Sequence, residues 1–369
     1  MNVRRTRAVA RKEFRHIVRD PRSLIMALAI PLLFLLLFGL ALSLDVDRIP
    51  TLIYDADRSP QSRDLIHRFA GSRYFQILGF VDNYQVIERQ IDRSEILLAV
   101  AIPNDYSRRV SRGEKADVQL IVDGSDSNTA AIALGYAEAV VSNYAQQLRR
   151  VPLGPPVDAR LRVWYNSELQ SKNYVVPGLI AVILMIIAAL LTSLTIAREW
   201  EMGTMEQLLS TPLRPAELVL GKMLAFFAVG LADIVISVLT GVLVFRVPLR
   251  GDVLFLLFTS CIFLCGALFW GIFLSAVART QLLAYQMGIL TSFLPAFLLS
   301  GFIYATENMP LPIQIITRVV PARYFITILK GIFLKGVGIQ VLWGETVFLL
   351  IFAVIVFLLA TRKLKQKMA

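Results

Sequence analysis

The stretch Arg198–Lys222, REWEMGTMEQLLSTPLRPAELVLGK, decides how this chain folds, because it is a polar segment set between two long apolar runs. A minimal connection between neighbouring helices needs only a few residues. This one has room for a short amphipathic helix lying against a bilayer. Gly203 and Thr204 suit the start of that helix, and Met205, Leu208 and Leu209 would form its apolar face. Glu199, Glu201, Glu206 and Gln207 then remain available to a partner. Thr211-Pro212 stops the helix, and Pro215 with Glu217 suits the first turn of the next one. The alternative is a plain polar loop tucked among lipid headgroups.

Composition explains why the flanks are apolar. The chain has 369 residues, 56% of them hydrophobic, and a mean hydropathy of +0.63. That is too apolar for an ordinary soluble domain pair, so lipid must cover part of it. Runs near the length of a bilayer crossing occur at Leu24–Leu44, Val175–Ala197, Val219–Phe245, Val253–Val277, Leu282–Ile303 and Thr346–Thr361. These six predict a polytopic α-helical membrane protein. The last run is short and the fifth contains Pro295, so either is a place for a broken or tilted helix.

Basic flanks set the expected orientation. The first 23 residues carry Arg4, Arg5, Arg7, Arg11, Lys12, Arg15, Arg19 and Arg22, and the tail carries Arg362, Lys363, Lys365 and Lys367. Both ends are therefore expected in the cytoplasm, together with Arg198–Lys222 and the turn at Arg279. Arg246–Asp252 and Tyr304–Glu345 are expected outside. The net charge of +11 is first a topology signal, because the cations flank membrane runs; nucleic-acid binding does not explain that placement. A cleavable signal peptide is disfavoured, since the first apolar run is too long and lacks a clear small-residue cleavage site.

Ahead of the first run, Ala10, Phe14, Ile17 and Val18 share a face at helical spacing, which predicts an interfacial helix within residues 1–23, ended by Asp20-Pro21. Residues 45–173 form the one large hydrophilic insertion, expected outside the cytoplasm. Strand-like runs at Thr51–Tyr54, Tyr74–Val81, Ile96–Ile102, Val118–Val122 and Leu161–Trp164 alternate with helical stretches at Gln61–Ala70, Tyr84–Asp92, Asp105–Arg112 and Thr129–Leu148. The pattern predicts an α/β module without disulfides. Ser127 or Asn128 is the expected cap of its long last helix.

Catalytic constellations are nearly absent. The two histidines, His16 and His67, lie on opposite sides of an apolar run, so neither a histidine metal site nor a Ser/His/Asp triad is expected. Cys261 and Cys265 lie four apart and read as small apolar packing residues. Gly221-Lys222 lacks the earlier glycine of a phosphate loop and is followed by Met223, so no nucleotide cofactor is expected on this chain. Asp233 falls mid-way along an apolar run, marking either a structural hydrogen bond or an ion-coupling site.

Three segments carry a resemblance: Arg198–Lys222, the turn VARTQ at Val277–Gln281, and LSGFIYATENMPLPIQIITRVVPARYFITILKGIFLKG from Leu299 to Gly336. Together they resemble permeases of the type-2 ABC exporter class, in its bacterial drug-efflux-like branch, over essentially the whole chain. The resemblance implies that residues 198–215 are a coupling helix seated in a separate ATP-binding cassette subunit, which holds ATP and Mg. Pro212 closes that element. It also implies that residues 304–343 form short re-entrant helices on the outer side, an external gate that includes Gly301, Tyr304, Pro310, Pro312, Pro321 and Tyr324.

Six spans without an internal repeat call for a second permease copy or a paralogue around a central route. The expected location is the bacterial cytoplasmic (inner) membrane, with a periplasmic adaptor and outer-membrane channel as further partners of the outer domain. The substrate implied by the resemblance is an amphipathic drug-like or lipid-like molecule. An ion-coupled secondary transporter built on Asp233 and a membrane sensor with a ligand-binding outer domain are the competing readings.

Overall fold

The computed structural model describes residues 2–41, 48–125, 127–148, 170–278, 280–304 and 306–368. The chain divides into two units, Leu44–Arg162 and the remainder, Met1–Ser43 with Val163–Ala369. Two helices open the larger unit: α1 (Val3–Arg19), closed at Asp20, and α2 (Pro21–Ala41), which begins on the proline.

The smaller unit is an α/β module. In chain order it runs β1 (Ile49–Asp55), α3 (Pro60–Ala70), β2 (Phe75–Phe80), α4 (Tyr84–Asp92), β3 (Leu98–Ile102), α5 (Tyr106–Ser111), β4 (Gln119–Val122) and α6 (Ser127–Leu148). The strands form one sheet in the order β2-β1-β3-β4. β1 pairs parallel with β2 and β3, while β4 is antiparallel to β3. Every residue of β3, LAVAI, is buried, as a central strand covered on both faces requires. On one face Ile53 and Val100 pack with Leu65 and Phe69 of α3 and Ala133 and Ala137 of α6. On the other, Leu52 and Ala99 pack with Ile87 of α4. The expected strand Leu161–Trp164 and the side chains of Ser127 and Asn128 lie outside the described residues, and α6 already includes both Ser127 and Asn128 in its first turn.

The membrane unit continues with α7 (Ser171–Glu201), α8 (Thr204–Leu209), α9 (Pro215–Leu239), α10 (Val253–Val277), α11 (Gln281–Gly288), α12 (Leu294–Leu298), α13 (Leu311–Thr317), α14 (Pro321–Lys330) and α15 (Ile339–Met368). Among the described residues, five helical stretches are long and apolar enough to cross a membrane: α7, α9 with its extension to Val244, α10, α11–α12, and α15. The first expected span, Leu24–Leu44, falls on α2, of which Ala27–Ala41 is a shorter apolar stretch among the described residues.

Other expected boundaries shift for identifiable reasons. The last run is not short: α15 begins at Ile339, ahead of a kink at Leu342, and its full length is ample for a crossing. Pro295 does interrupt the fifth span. A π-helical turn at Ile289–Phe293 precedes it, which accommodates the missing proline N–H by changing the hydrogen-bond register. At the heart of the unit is α7, with 72% of its apolar window buried against 28% for α15. Gly271 lets α10 approach α7 closely: a Cβ there would stand 2.4 Å from the Ala189 carbonyl.

Candidate functional site

The polar stretch at 198–222 proves to be three things. Arg198–Glu201 are the last turn of α7, residues 215–222 begin α9, and only α8 is a separate helix. The expected coupling element, 198–215, is therefore shorter than anticipated, because nothing breaks α7 before Gly203. That glycine adopts φ +70°, a left-handed conformation that turns the chain sharply into α8. At its far end, the Ser210 and Thr211 hydroxyls donate to the Gln207 and Leu208 carbonyls, satisfying groups that a helix terminus leaves open.

α8 has two faces. Met205 is fully buried and, with Leu208, packs onto the main core of the membrane unit. Thr204, Glu206 and Gln207 are exposed, as are Gly203 and Pro212 beside them. The side chain of Leu209 lies outside the described residues. Two acidic residues named with this element are bonded to other parts of the chain instead. Glu201 accepts hydrogen bonds from the backbone N–H and side-chain amide of Gln281, both 3.0 Å, tying the end of α7 to the start of α11. Glu199 is buried, its carboxylate 3.0 Å from both Lys12 and Lys222.

α1 supplies the rest of that cluster. Its buried positions are Thr6, Val9, Glu13 and Ile17, whereas Phe14 and Val18 are exposed. Burial within the chain follows the side that carries Glu13, where Lys222 lies at 3.1 Å, and leaves Phe14 and Val18 of the expected apolar face uncovered by protein. Burial by itself would raise the Glu13 carboxyl, but Lys222 and Lys12 overcome it and hold it below its ordinary value. Burial likewise works against the Lys12 ammonium, and Glu13 and Glu199 more than offset it, so its pKa is raised. Further bonds run from the Asn2 N–H to Glu217 at 2.6 Å and from the Arg5 guanidinium to the Pro212 carbonyl. Gly221 lets α1 lie directly on α9, since a Cβ there would be 2.6 Å from Val9 Cβ.

This network was missed in the sequence. The available signal was Lys222 inside an apolar run, together with Glu13 one turn from Val9 and Ile17. At the same end of the bundle, the Lys367 ammonium donates to the Ala278 carbonyl at 2.8 Å and lies over the Trp200 ring. The ends of α7 and α15 are thus tied to each other and to Ala278 and Gln281; Arg279 itself lies outside the described residues.

The run from Leu299 to Gly336 packs against the start of α7. The backbone N–H of Gly251 donates to Ile332 at 2.9 Å, and the Tyr174 hydroxyl donates to the Gly301 carbonyl at 2.9 Å. Gly301 has φ +80°, and Tyr304 beyond it is exposed. Pro310 caps α13, Pro312 lies in its first turn, and buried Pro321 opens α14. Tyr324 stacks on Phe348 of α15 with ring centroids 3.7 Å apart, its hydroxyl donating to the Arg318 carbonyl. The Lys330 ammonium lies 3.4 Å from the centre of the Tyr174 ring.

Asp233 belongs to neither group. It is buried mid-way along α9, and its Oδ1 has no hydrogen-bond partner among the described residues. It borders a small cavity with Ala27, Ala188, Gly230 and Leu264. Cys261 and Cys265 are free thiols, and no cluster of metal-ligating side chains occurs among the described residues.

Comparison with known proteins gives this architecture its context. Residues 21–362 match the pattern of a family described as ABC-2 family transporter protein. The chain is 37% identical over 369 residues to the probable multidrug ABC transporter permease YbhS of Escherichia coli, covering 99% of this chain and 98% of that one. It is 34% identical over 336 residues to the probable multidrug ABC transporter permease YbhR of the same organism, covering 91% of each. The inner membrane transport permease YhhJ of Escherichia coli is 26% identical over 307 residues, covering 80% of this chain and 79% of that one. With a family match over most of its length and relatives aligned nearly end to end, this polytopic membrane protein belongs to the ABC-2 family of ABC transporter permeases.

Proposed function

We propose that the chain is the membrane-spanning subunit of an ATP-driven exporter in the bacterial inner membrane, and that α8 is where a separate ATP-binding subunit docks. The observation that carries this reading is the division of α8: Met205 is locked into the core while Glu206 and Gln207 face outward. A helix so anchored is a lever. Force applied to its exposed face passes directly into α7 and α9, the two helices it connects, as rigid-body movement.

The rest of the reading follows from charge and family. The basic N-terminal helix and the Lys/Arg-rich tail support an orientation with α8 and both termini in the cytoplasm and the α/β unit outside. ATP and Mg are held by the partner subunit, whose closure drives the transport step. A second permease copy or a paralogue completes the route, with a periplasmic adaptor and outer-membrane channel reached through the α/β unit. The multidrug names of the relatives support an amphipathic, drug-like or lipid-like substrate.

Co-purification with the ATP-binding subunit tests the docking role. Glu206→Lys is expected to abolish recovery of the ATPase while leaving the permease folded. Retained complex and retained transport-coupled ATP hydrolysis would overturn it. The unpartnered carboxylate of Asp233 favours one subordinate reading, ion coupling, which Asp233→Asn with unchanged transport would remove.

A further inference from the structure

The α/β unit contains a cleft of about 430 Å³ at the carboxyl ends of β1 and β2. Crevices outside the carboxyl ends of parallel strands are where open α/β sheets hold ligands, and this volume falls in the range of small-molecule sites. Its polar wall carries two guanidinium groups, an imidazole and two carboxylates, Asp55 and Asp82. Arg58 follows β1, and Arg63 and His67 lie one helical turn apart on α3, all three bordering the cleft.

The carboxylates nearby leave the two guanidinium groups available. Asp55 is consumed within the fold: its Oδ1 accepts the backbone N–H groups of Asp57 and Arg58, and its Oδ2 accepts the Ser62 hydroxyl at 2.7 Å. Those bonds hold Arg58 at φ +51°, a left-handed conformation costly for a residue with a Cβ. Asp82 pairs with Arg58, but the two side chains are 86% and 72% exposed. Such a pair in water is weak and readily exchanged for an incoming anion. Arg63 makes no ion pair among the described residues.

An apolar wall completes the cleft. Phe80, at the end of the edge strand β2, is 68% exposed, and Ile66 of α3 is buried beside it. An aromatic ring left in water next to solvent-exposed guanidinium groups suits a molecule with one charged and one apolar end. Arginine lining disfavours a metal ion, whereas it suits the oxygens of a phosphate or carboxylate.

We propose that this cleft is a binding site for an amphipathic anion, with its phosphate or carboxylate group on Arg58, Arg63 and His67 and its apolar part against Phe80 and Ile66. The site lies wholly within the α/β unit and stands apart from the docking role of α8. A bilayer headgroup and a free solute share this chemistry.

The test uses the full chain in phosphatidylcholine nanodiscs, titrated with inorganic phosphate and with dihexanoyl phosphatidic acid, and with empty discs as the blank. The amphiphile is expected to bind at least tenfold more tightly than phosphate. Arg63→Glu should weaken both at least tenfold, Arg63→Lys should restore most of the loss, and Phe80→Ala should erase the advantage of the amphiphile while leaving phosphate within twofold. Unchanged binding in Arg63→Glu, an undiminished amphiphile advantage in Phe80→Ala, or no binding by the unaltered protein would overturn the proposal. Repeating the titration in phosphatidylglycerol discs separates the sources. Loss of amphiphile binding there identifies a lipid headgroup, and retained binding identifies a free solute.

Discussion

The ammonium of Lys222, only 1% exposed, lies 3.0 Å from the carboxylate of Glu199 across the junction of α7 and α9. Glu13 of α1 closes on the same ammonium at 3.1 Å, so one buried cation joins three helices around α8. Removing it leaves the Glu13 and Glu199 carboxylates sharing only the half-exposed Lys12 ammonium, at 3.2 and 3.0 Å. Breaking a buried pair from one side costs about 3–5 kcal/mol. Lys222→Met is therefore expected to lower the thermal unfolding midpoint of the purified protein sharply. Lys222→Met combined with Glu13→Gln and Glu199→Gln should recover much of the loss, and a triple variant as unstable as the single one would refute the electrostatic account.

The same cluster predicts a pH window. The folded-state pKa of Glu13 is depressed below its ordinary 4.5, so its contribution is present above that value and is lost as pH falls through the folded value. Lys12 is raised above 10.5, so its contribution is present below that value and is lost as pH rises through the folded one. The stability difference between the unaltered protein and Glu13→Gln should be flat from about pH 5 to pH 9 and shrink on the acid side. Thermal unfolding in detergent across that range measures it. A difference that grows with acidification would contradict the sign.

Close packing of α1 predicts a contrast between two glycines. A Cβ on Gly221 meets Val9 Cβ at 2.6 Å and the Thr6 carbonyl at 3.0 Å, while one on Gly344 meets nothing within 4 Å. Gly221→Ala is expected to destabilise by about 1–3 kcal/mol through overpacking. Gly344→Ala, within α15, should be neutral or stabilising by up to about 1 kcal/mol. Limited proteolysis near residue 20 should report release of α1 in the first variant alone.

The turn into α8 predicts a backbone effect without a steric one. Gly203 has φ +70° and open space around its Cα, so Gly203→Ala costs about 1–2 kcal/mol from conformation alone. Because that strain falls on α8 alone, binding to the ATP-binding subunit should weaken more than overall stability. Parallel measurements of unfolding midpoint and of ATPase co-purification check this, and equal loss in both would argue against a local role.

Sequence alone determined the membrane class, the basic flanks, the α/β character of the hydrophilic insertion expected at 45–173, and the start and stop of the short helix after Gly203. These are local properties: apolar run length, period-two and helical periodicity, and the backbone preferences of glycine and proline. Tertiary structure decided which polar residues are free and which are spent. Glu199 and Glu201 look like Glu206 in the sequence, yet Glu199 is buried against Lys222, while Glu201, exposed like Glu206, is bonded to Gln281. Ion pairing between residues more than two hundred positions apart, as between Glu13 and Lys222, leaves no local period to read. It depends on where α1 lands on α9, and that is set by the absence of a side chain at Gly221.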